Sequence, residues 1–109
     1  MAMPSVVLTQ TGPGTSTYWI PDFFKDVFNV GLQAVVSGTV TTAAIQYTLD
    51  DTTADNYNPA TGNWFSVPNF SAVTASTAGN MTIPCRGIRI NITTGPGSIT
   101  LNIQQAGTR

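Results

Sequence analysis

Charged side chains are scarce in this chain. Its 109 residues contain 4 lysines and arginines and 5 aspartates, with no histidine and no glutamate. Most routes to acid–base, metal or phosphate chemistry therefore lack their usual residues. A formal net charge of -1 also provides no basic field for a nucleic acid. We therefore expect a protein that is not an enzyme, needs no cofactor or metal and does not bind DNA or RNA.

Cysteine and long apolar runs are scarce as well. Cys85 is the only cysteine, which excludes an intramolecular disulfide and a cysteine-based zinc site. With no histidine to activate it, inert packing is its predicted role. No stretch approaches the ~20 apolar residues that span a bilayer, and the first residues lack the features of a signal peptide. We expect folding in a reducing cytosol and no membrane partner.

Threonine, serine, asparagine, glycine and β-branched apolar residues are abundant, and they suit short strands joined by turns. A hydrophobic content of 41% in a chain of this length predicts one folded core. Apolar residues alternate with polar ones along several segments, which predicts half-buried strands. The residues predicted to share an inward side are Val30, Leu32, Ala34 and Val36; Ala43, Ile45, Tyr47 and Leu49, with Thr48 on the opposite side; Ile88, Ile90 and Ile92; and Ile99, Leu101 and Ile103. The strongest of these segments are 29–36, 39–49, 85–93 and 98–104, and weaker ones are 6–10, 63–67, 70–73 and 79–83.

These segments predict an all-β fold, an antiparallel β-sandwich of either the jelly-roll or the immunoglobulin-like type. The turns at Ser37-Gly38 and at Thr94-Gly95-Pro96-Gly97 predict two hairpins, each joining the strands on either side of it. Gly12, Pro13 and Gly14 interrupt the first strand-like run. We therefore predict an extended N-terminal arm over 1–17 and a single sandwich domain over 18–109.

A polar loop is predicted between Asp50 and Gly62, facing solvent. Its aspartates and asparagines carry oxygen ligands of the kind Ca²⁺ takes, but their spacing does not match an EF-hand, so a solvated turn is favoured. Arg86 and Arg89 could pair with Asp50 or Asp51 across the sheet, or could simply be exposed.

Aromatic residues concentrate between Tyr18 and Phe28, where a brief helical turn after Asp22 or an irregular loop is expected. Interfaces are enriched in such residues. The predicted interface consists of Tyr18, Trp19, Ile20, Phe23, Phe24 and Phe28. For Trp64 a place in the core is favoured, because aromatic rings dominate sandwich interiors of this size.

Two stretches resemble a known class of protein. They are Ile45-Gln46-Tyr47-Thr48-Leu49-Asp50-Asp51 followed by Asn63-Trp64-Phe65, and the pair of strands Gly87-Ile88-Arg89-Ile90-Asn91-Ile92 and Ser98-Ile99-Thr100-Leu101-Asn102-Ile103-Gln104. Over roughly residues 30 to 105 the chain resembles small virion proteins of tailed bacteriophages, namely capsid decoration (cement) proteins and related head and tail accessory modules.

The resemblance implies a β-sandwich on the outer capsid surface that bridges neighbouring major capsid protein subunits as a homodimer or homotrimer. It brings no catalytic residues. The expected location is the virion, after synthesis in the host bacterial cytoplasm. Two alternatives remain: a carbohydrate-binding module of a head fibre or tail, with Trp19, Tyr57 and Trp64 stacking on sugar, or a structural component of the tail or neck.

Overall fold

The computed structural model describes residues 5–21 and 29–106. This part of the chain forms eight strands and contains no helix. The strands are β1 (Ser5–Thr11), β2 (Gly14–Thr15), β3 (Asn29–Ser37), β4 (Thr42–Thr48), β5 (Phe65–Ser66), β6 (Thr77–Met81), β7 (Gly87–Thr94) and β8 (Ser98–Ala106). The predicted helical turn from Asp22 to Phe28 lies outside the described residues.

The strands form two four-stranded antiparallel sheets packed face to face. Sheet I has the order β1-β8-β3-β6 and sheet II has the order β2-β7-β4-β5. The chain pairs as a nested series, β1 with β8, β2 with β7, β3 with β6 and β4 with β5. An eight-stranded double sheet wound in this way is a jelly roll. The predicted all-β sandwich is confirmed, and the strand order identifies the jelly-roll type.

The part of the predicted N-terminal arm that the structure describes is extended and paired in both sheets. Ser5–Thr11 pairs with β8 along its whole length, and Gly14–Thr15 pairs with β7. Gly12, with φ of 72°, lies at the crossing between these two strands. Residues 5–17 therefore contribute an edge strand to each sheet.

Both predicted hairpins are wrong. β3 belongs to sheet I and β4 to sheet II, and β7 and β8 are likewise in different sheets. Turn residues such as Gly38 and Gly95, both at positive φ, allow a chain either to return beside itself or to cross to a facing layer. In this protein the turns cross, because each strand has a better partner at a distance in the sequence.

The core lies between the sheets and contains the apolar sides of the alternating strands. The predicted inward residues Val30, Leu32 and Ala34 are buried, as are the isoleucines of β7 and the Ile99, Leu101 and Ile103 series of β8. Leu49 was predicted to face inward with Ala43 and Ile45, but it is 60% exposed. It directly follows the last residue of β4 and lies beyond the paired part of that strand.

The segment 67–73 is not a strand, but it seals the open edge of β4. Val67 donates its N–H to the Ile45 carbonyl at 2.8 Å, and the Phe70 carbonyl accepts the N–H of Ile45 at 3.0 Å. The side chains of Val67, Phe70 and Val73 are all buried in the core. This irregular segment therefore closes one side of the sandwich with apolar side chains.

Candidate functional site

Charge is divided unequally between the two sheets. The four strands of sheet I contain no charged residue. All the charged residues of the described chain belong to sheet II and its connections, namely Asp50, Asp51, Asp55, Arg86 and Arg89. The two outer faces therefore differ in chemistry, and each is a candidate site of a different kind.

The outer face of sheet I is a neutral surface of hydroxyl, amide and small apolar groups. Its outward residues are Val7, Thr9, Thr11, Gly31, Gln33, Val35, Ser37, Ala78, Asn80, Ser98, Thr100, Asn102 and Gln104. Gln33 and Asn102 face each other across β3 and β8, and the Asn102 amide donates to Gln33 Oε1 at 3.1 Å. Val7 and Val35 are among the exposed large hydrophobic residues. Neither edge strand, β1 or β6, carries the charges that commonly protect a sheet edge from other chains.

The outer face of sheet II is covered by the loop after β4. Thr48 Oγ1 donates to the Asn63 carbonyl at 2.6 Å, and Asp50 accepts the backbone N–H of Asn63 at 2.7 Å. The N–H of Asn63 is the largest cause of the lowered pKa of Asp50. The predicted loop is present, but it is not wholly solvent-facing, because it buries Thr48 and its own Thr52.

Arg86 and Arg89, which were predicted either to pair with aspartates or to be exposed, differ from each other. Arg86 Nη1 lies 3.2 Å from Asp51 Oδ1, so one of the predicted ion pairs forms. The pKa of Asp51 is lowered mainly by the Thr53 hydroxyl and N–H, with a smaller contribution from Arg86. Because both partners of the ion pair are substantially exposed, solvent screening limits its contribution to stability.

Arg89 lies against an aromatic ring instead of a carboxylate. Its guanidinium carbon is 4.1 Å from the centroid of the Trp64 ring, a cation–π contact. Arg89 Nε donates to Gln46 Oε1 at 2.9 Å, and Nη1 donates to the Pro59 carbonyl at 3.3 Å. The Trp64 indole N–H donates to the same Pro59 carbonyl at 3.2 Å. These contacts hold the loop and the Trp64 side chain against Arg89, which lies on β7.

Two tyrosines extend this cluster. The ring centroids of Tyr18 and Tyr57 lie 5.9 Å apart in an edge-to-face arrangement, and Tyr18 is also 5.9 Å from Trp64. Burial, and then the negative charge of Asp50, raise the pKa of Tyr57. Tyr57 therefore stays a neutral phenol at physiological pH. Tyr18, Tyr57, Trp64 and Arg89 together are called the aromatic–arginine cluster below.

A cleft of about 390 Å³ opens beside this cluster. Its described lining comprises residues 15–18, which are the last residue of β2 and the three that follow it, residues 58–60 of the loop, and Arg89. Small-molecule sites span roughly 300–1,000 Å³, so the volume suits a small ligand. The sequence did not predict this site, although Gly87 is a clue to it. A Cβ at Gly87 would lie 3.1 Å from the Trp64 ring, and a glycine within a strand often marks the close approach of another group.

The predicted interface and the predicted sugar platform are each divided by the structure. Trp19 forms an isolated β-bridge with Ile88 and packs against the core, whereas its neighbour Tyr18 joins the aromatic–arginine cluster. Ile20 is 39% exposed. Phe23, Phe24 and Phe28 lie outside the described residues. Trp19 therefore packs against the core, whereas Tyr57 and Trp64 each contact the ring of Tyr18. Trp64 is partly buried, with Arg89 against its ring.

Trp19 belongs to a row of paired residues that runs across sheet II and ends in an exposed ring at the edge of the sheet. Trp19 pairs with Ile88, Ile88 pairs with Tyr47, and Tyr47 pairs with Phe65. Ile88 is completely buried, whereas Phe65 is 59% exposed at the edge of the sheet, 6.2 Å from the Tyr47 ring. The packing of Trp19 therefore serves the core, and its role as an interface residue stays a prediction.

Cys85 is buried in the core, which confirms its predicted packing role. Burial raises the pKa of its thiol from 9.0 to about 11. The folded protein therefore holds this proton at pH values where the unfolded chain has released it, so the thiol's contribution to stability is present below about pH 9 and is lost towards pH 11.

We expect the native protein to resist thiol-specific labelling at pH 8 and to react fully in denaturant. Between pH 9 and 11, the free energy of unfolding of the wild type should fall more steeply than that of a Cys85→Ala variant. Parallel slopes for the two proteins in urea denaturation across this range would contradict the assignment.

Within residues 5–21 and 29–106, no group of three or more acidic or cysteine side chains is placed to hold a metal ion. No helix in these ranges is long and apolar enough to cross a membrane. Comparisons with protein-family models, curated proteins and solved structures find no match to this chain.

Proposed function

We propose that this protein is a structural virion component that binds the outer surface of a phage capsid and bridges major capsid protein subunits. The proposal begins with the sequence resemblance over residues 30 to 105. The jelly-roll topology is compatible with it, because this fold recurs in viral capsid proteins. Since proteins with this fold have many other functions, the fold alone does not support the proposal, and a particular surface has to support it.

The neutral outer face of sheet I is the observation that supports the proposal most directly. The central parts of protein interfaces are depleted of charged residues, and this face has none among its described side chains. Its hydroxyl and amide groups can hydrogen-bond to a partner, while Val7 and Val35 supply apolar contact. Several copies arrayed on a shell would add many modest contacts, and linkage between copies raises the effective concentration of each further contact.

The proposal is tested by co-sedimentation with expanded capsids that lack the protein, and by light scattering of the free protein to determine its mass. Saturable binding at an integral ratio to the major capsid protein is expected. Gln33→Glu should weaken this binding at least about tenfold, because it places an unpaired charge in the contact. The new carboxylate can still accept the Asn102 amide, so the fold should persist.

Asn56→Asp is the matched control, since it adds the same charge on the exposed loop of sheet II. It should bind capsids as the wild type does. Equal weakening by both variants would indicate a general charge effect and would count against sheet I as the contact surface. Failure of the folded wild-type protein to sediment with capsids would overturn the function itself.

A second candidate function is carbohydrate binding, and the cleft beside the aromatic–arginine cluster favours it. The cleft combines an aromatic ring, hydroxyl and amide side chains and one cation, which are the groups that orient a sugar. The predicted platform consisted of Trp19, Tyr57 and Trp64, whereas Tyr18 is the aromatic residue of the described cleft lining.

A further inference from the structure

Several N–H donors of Arg89 have no acceptor among the described residues, and such donors can bind a ligand. A guanidinium group carries five N–H groups. One bond to Gln46 and one to Pro59 leave the others, including those on Nη2, without an acceptor among residues 5–21 and 29–106. In the same part of the chain, no carboxylate lies within 4.0 Å of Arg89. A partly buried cation in a cleft, with no carboxylate partner in the described part of the chain, is a favourable place for an anion.

The surroundings of Arg89 hold its guanidinium in a defined position. Trp64 lies against the guanidinium plane, while Gln46 on the neighbouring strand β4 anchors Nε. A ligand that pairs with this group therefore meets an ordered side chain and loses less entropy on binding. Burial lowers the pKa of Arg89, but arginine remains charged at any physiological pH.

The other walls of the cleft indicate which kind of anion fits. The hydroxyls of Thr15 and Thr17 and the amide nitrogen of Asn58 have no hydrogen-bond partner among the described residues. Among the described residues of the lining, Arg89 is the only charged one, so this part of the site matches one negative charge better than the two of a phosphate. Tyr18 adds an aromatic ring at the same wall.

We propose that this cleft binds an acidic sugar, with its carboxylate on Arg89, its hydroxyls near Thr15, Thr17 and Asn58, and its ring against Tyr18. The inference rests on the second candidate function, carbohydrate binding, and is independent of the capsid proposal. It assigns the class of ligand, a uronic acid or a similar carboxylated sugar, which the sequence did not predict.

The test is an NMR titration of the ¹⁵N-labelled full chain with D-glucuronate, and in parallel with D-glucose and with acetate. Glucuronate should shift the amide signals of residues 15–18 and 58–60 in a saturable manner. Arg89→Gln should weaken this binding by about tenfold to a hundredfold, because hydrogen bonds to a charged group are worth about 1.5–3 kcal/mol. Thr17→Asp, which places a negative charge at the wall without touching the Trp64 contact, should weaken it similarly.

Arg86→Gln is the matched control, because it removes the same charge from the pair with Asp51 outside the cleft, and it should bind glucuronate as the wild type does. Thr17→Asp keeps the test decisive if Arg89→Gln does not fold. Equal binding of glucose would overturn the acidic specificity and leave the carbohydrate-binding function standing. If acetate bound as tightly as glucuronate, the sugar ring would contribute nothing and the assignment of a sugar ligand would be overturned. If neither glucuronate nor glucose bound, both this inference and the carbohydrate-binding function would be overturned.

Discussion

Replacing Phe70 with alanine is expected to lower the free energy of unfolding by about 3–5 kcal/mol. The Phe70 side chain is 1% exposed, although it lies in an irregular segment that the sequence marked only as a weak strand. Its ring packs on β6, where a Cβ at Gly79 would lie 3.0 Å from a ring carbon. Removing the ring therefore opens a cavity between segment 67–73 and sheet I. Urea denaturation followed by tryptophan fluorescence measures the loss.

Phe65→Ala provides the matched control, since it removes the same side chain from a position that is 59% exposed. Its effect should stay near the ±0.5 kcal/mol typical of surface substitutions. A ratio of at least threefold between the two losses is expected. If Phe70→Ala lowered the free energy of unfolding as little as Phe65→Ala, the closing of the core by segment 67–73 would be contradicted.

Replacing Gly97 with alanine is expected to destabilise the protein by about 1–3 kcal/mol. Gly97 lies where three crossings between the sheets meet. Its N–H donates to the Thr39 carbonyl at 2.7 Å, and its carbonyl accepts the N–H of Gly12 at 2.9 Å. A Cβ at Gly97 would lie 2.6 Å from the Ser37 carbonyl oxygen. Because that neighbour is backbone, relief requires the crossing of β3 to β4 to move.

Gly31→Ala tests whether this cost belongs to the crossing or to any glycine of the sandwich. At Gly31 the new Cβ would meet the Gln104 carbonyl at 3.6 Å, an ordinary contact. The substitution should be neutral or slightly stabilising, because alanine reduces the entropy of the unfolded chain. Thermal unfolding of both variants by circular dichroism compares them, and equal midpoints would show that the crossings tolerate a side chain.

The strands could be predicted from the sequence because the alternation of apolar and polar residues is a local property of each segment. Val30, Leu32 and Ala34 in β3, and Ile99, Leu101 and Ile103 in β8, lie on the buried face that their spacing predicted. The same local reasoning failed at Leu49 and Thr48. The face of a residue follows from the pleat, but its burial depends on whether another segment covers it. The hydrogen bonds of Asn63 with Thr48 and Asp50 hold the loop over Thr48, whereas Leu49 is 60% exposed.

The contacts of the two arginines could be predicted from the sequence only in part. The ion pair between Arg86 and Asp51 was among the predicted pairs. Arg86 directly precedes β7 and Asp51 closely follows β4, and the antiparallel pairing of these two strands brings the charges together. The contact between Arg89 and Trp64 joins β7 to a loop that follows β4. No periodicity in either segment predicts the contact between Arg89 and Trp64. From the sequence alone, a tryptophan beside polar residues is equally compatible with a core position.

The sequence by itself determined the class of the fold and the near absence of charge. Alternating β-branched residues predict strands wherever they occur, and composition needs no coordinates. Only the tertiary structure decided which strands are neighbours, since Gly38 and Gly97 permit a turn within one sheet and a crossing to the other equally well. That choice is made by the long-range pairing of β1 with β8 and of β2 with β7. It also assembles a neutral face on sheet I and collects the described charges on sheet II, because a face exists only once distant strands lie side by side.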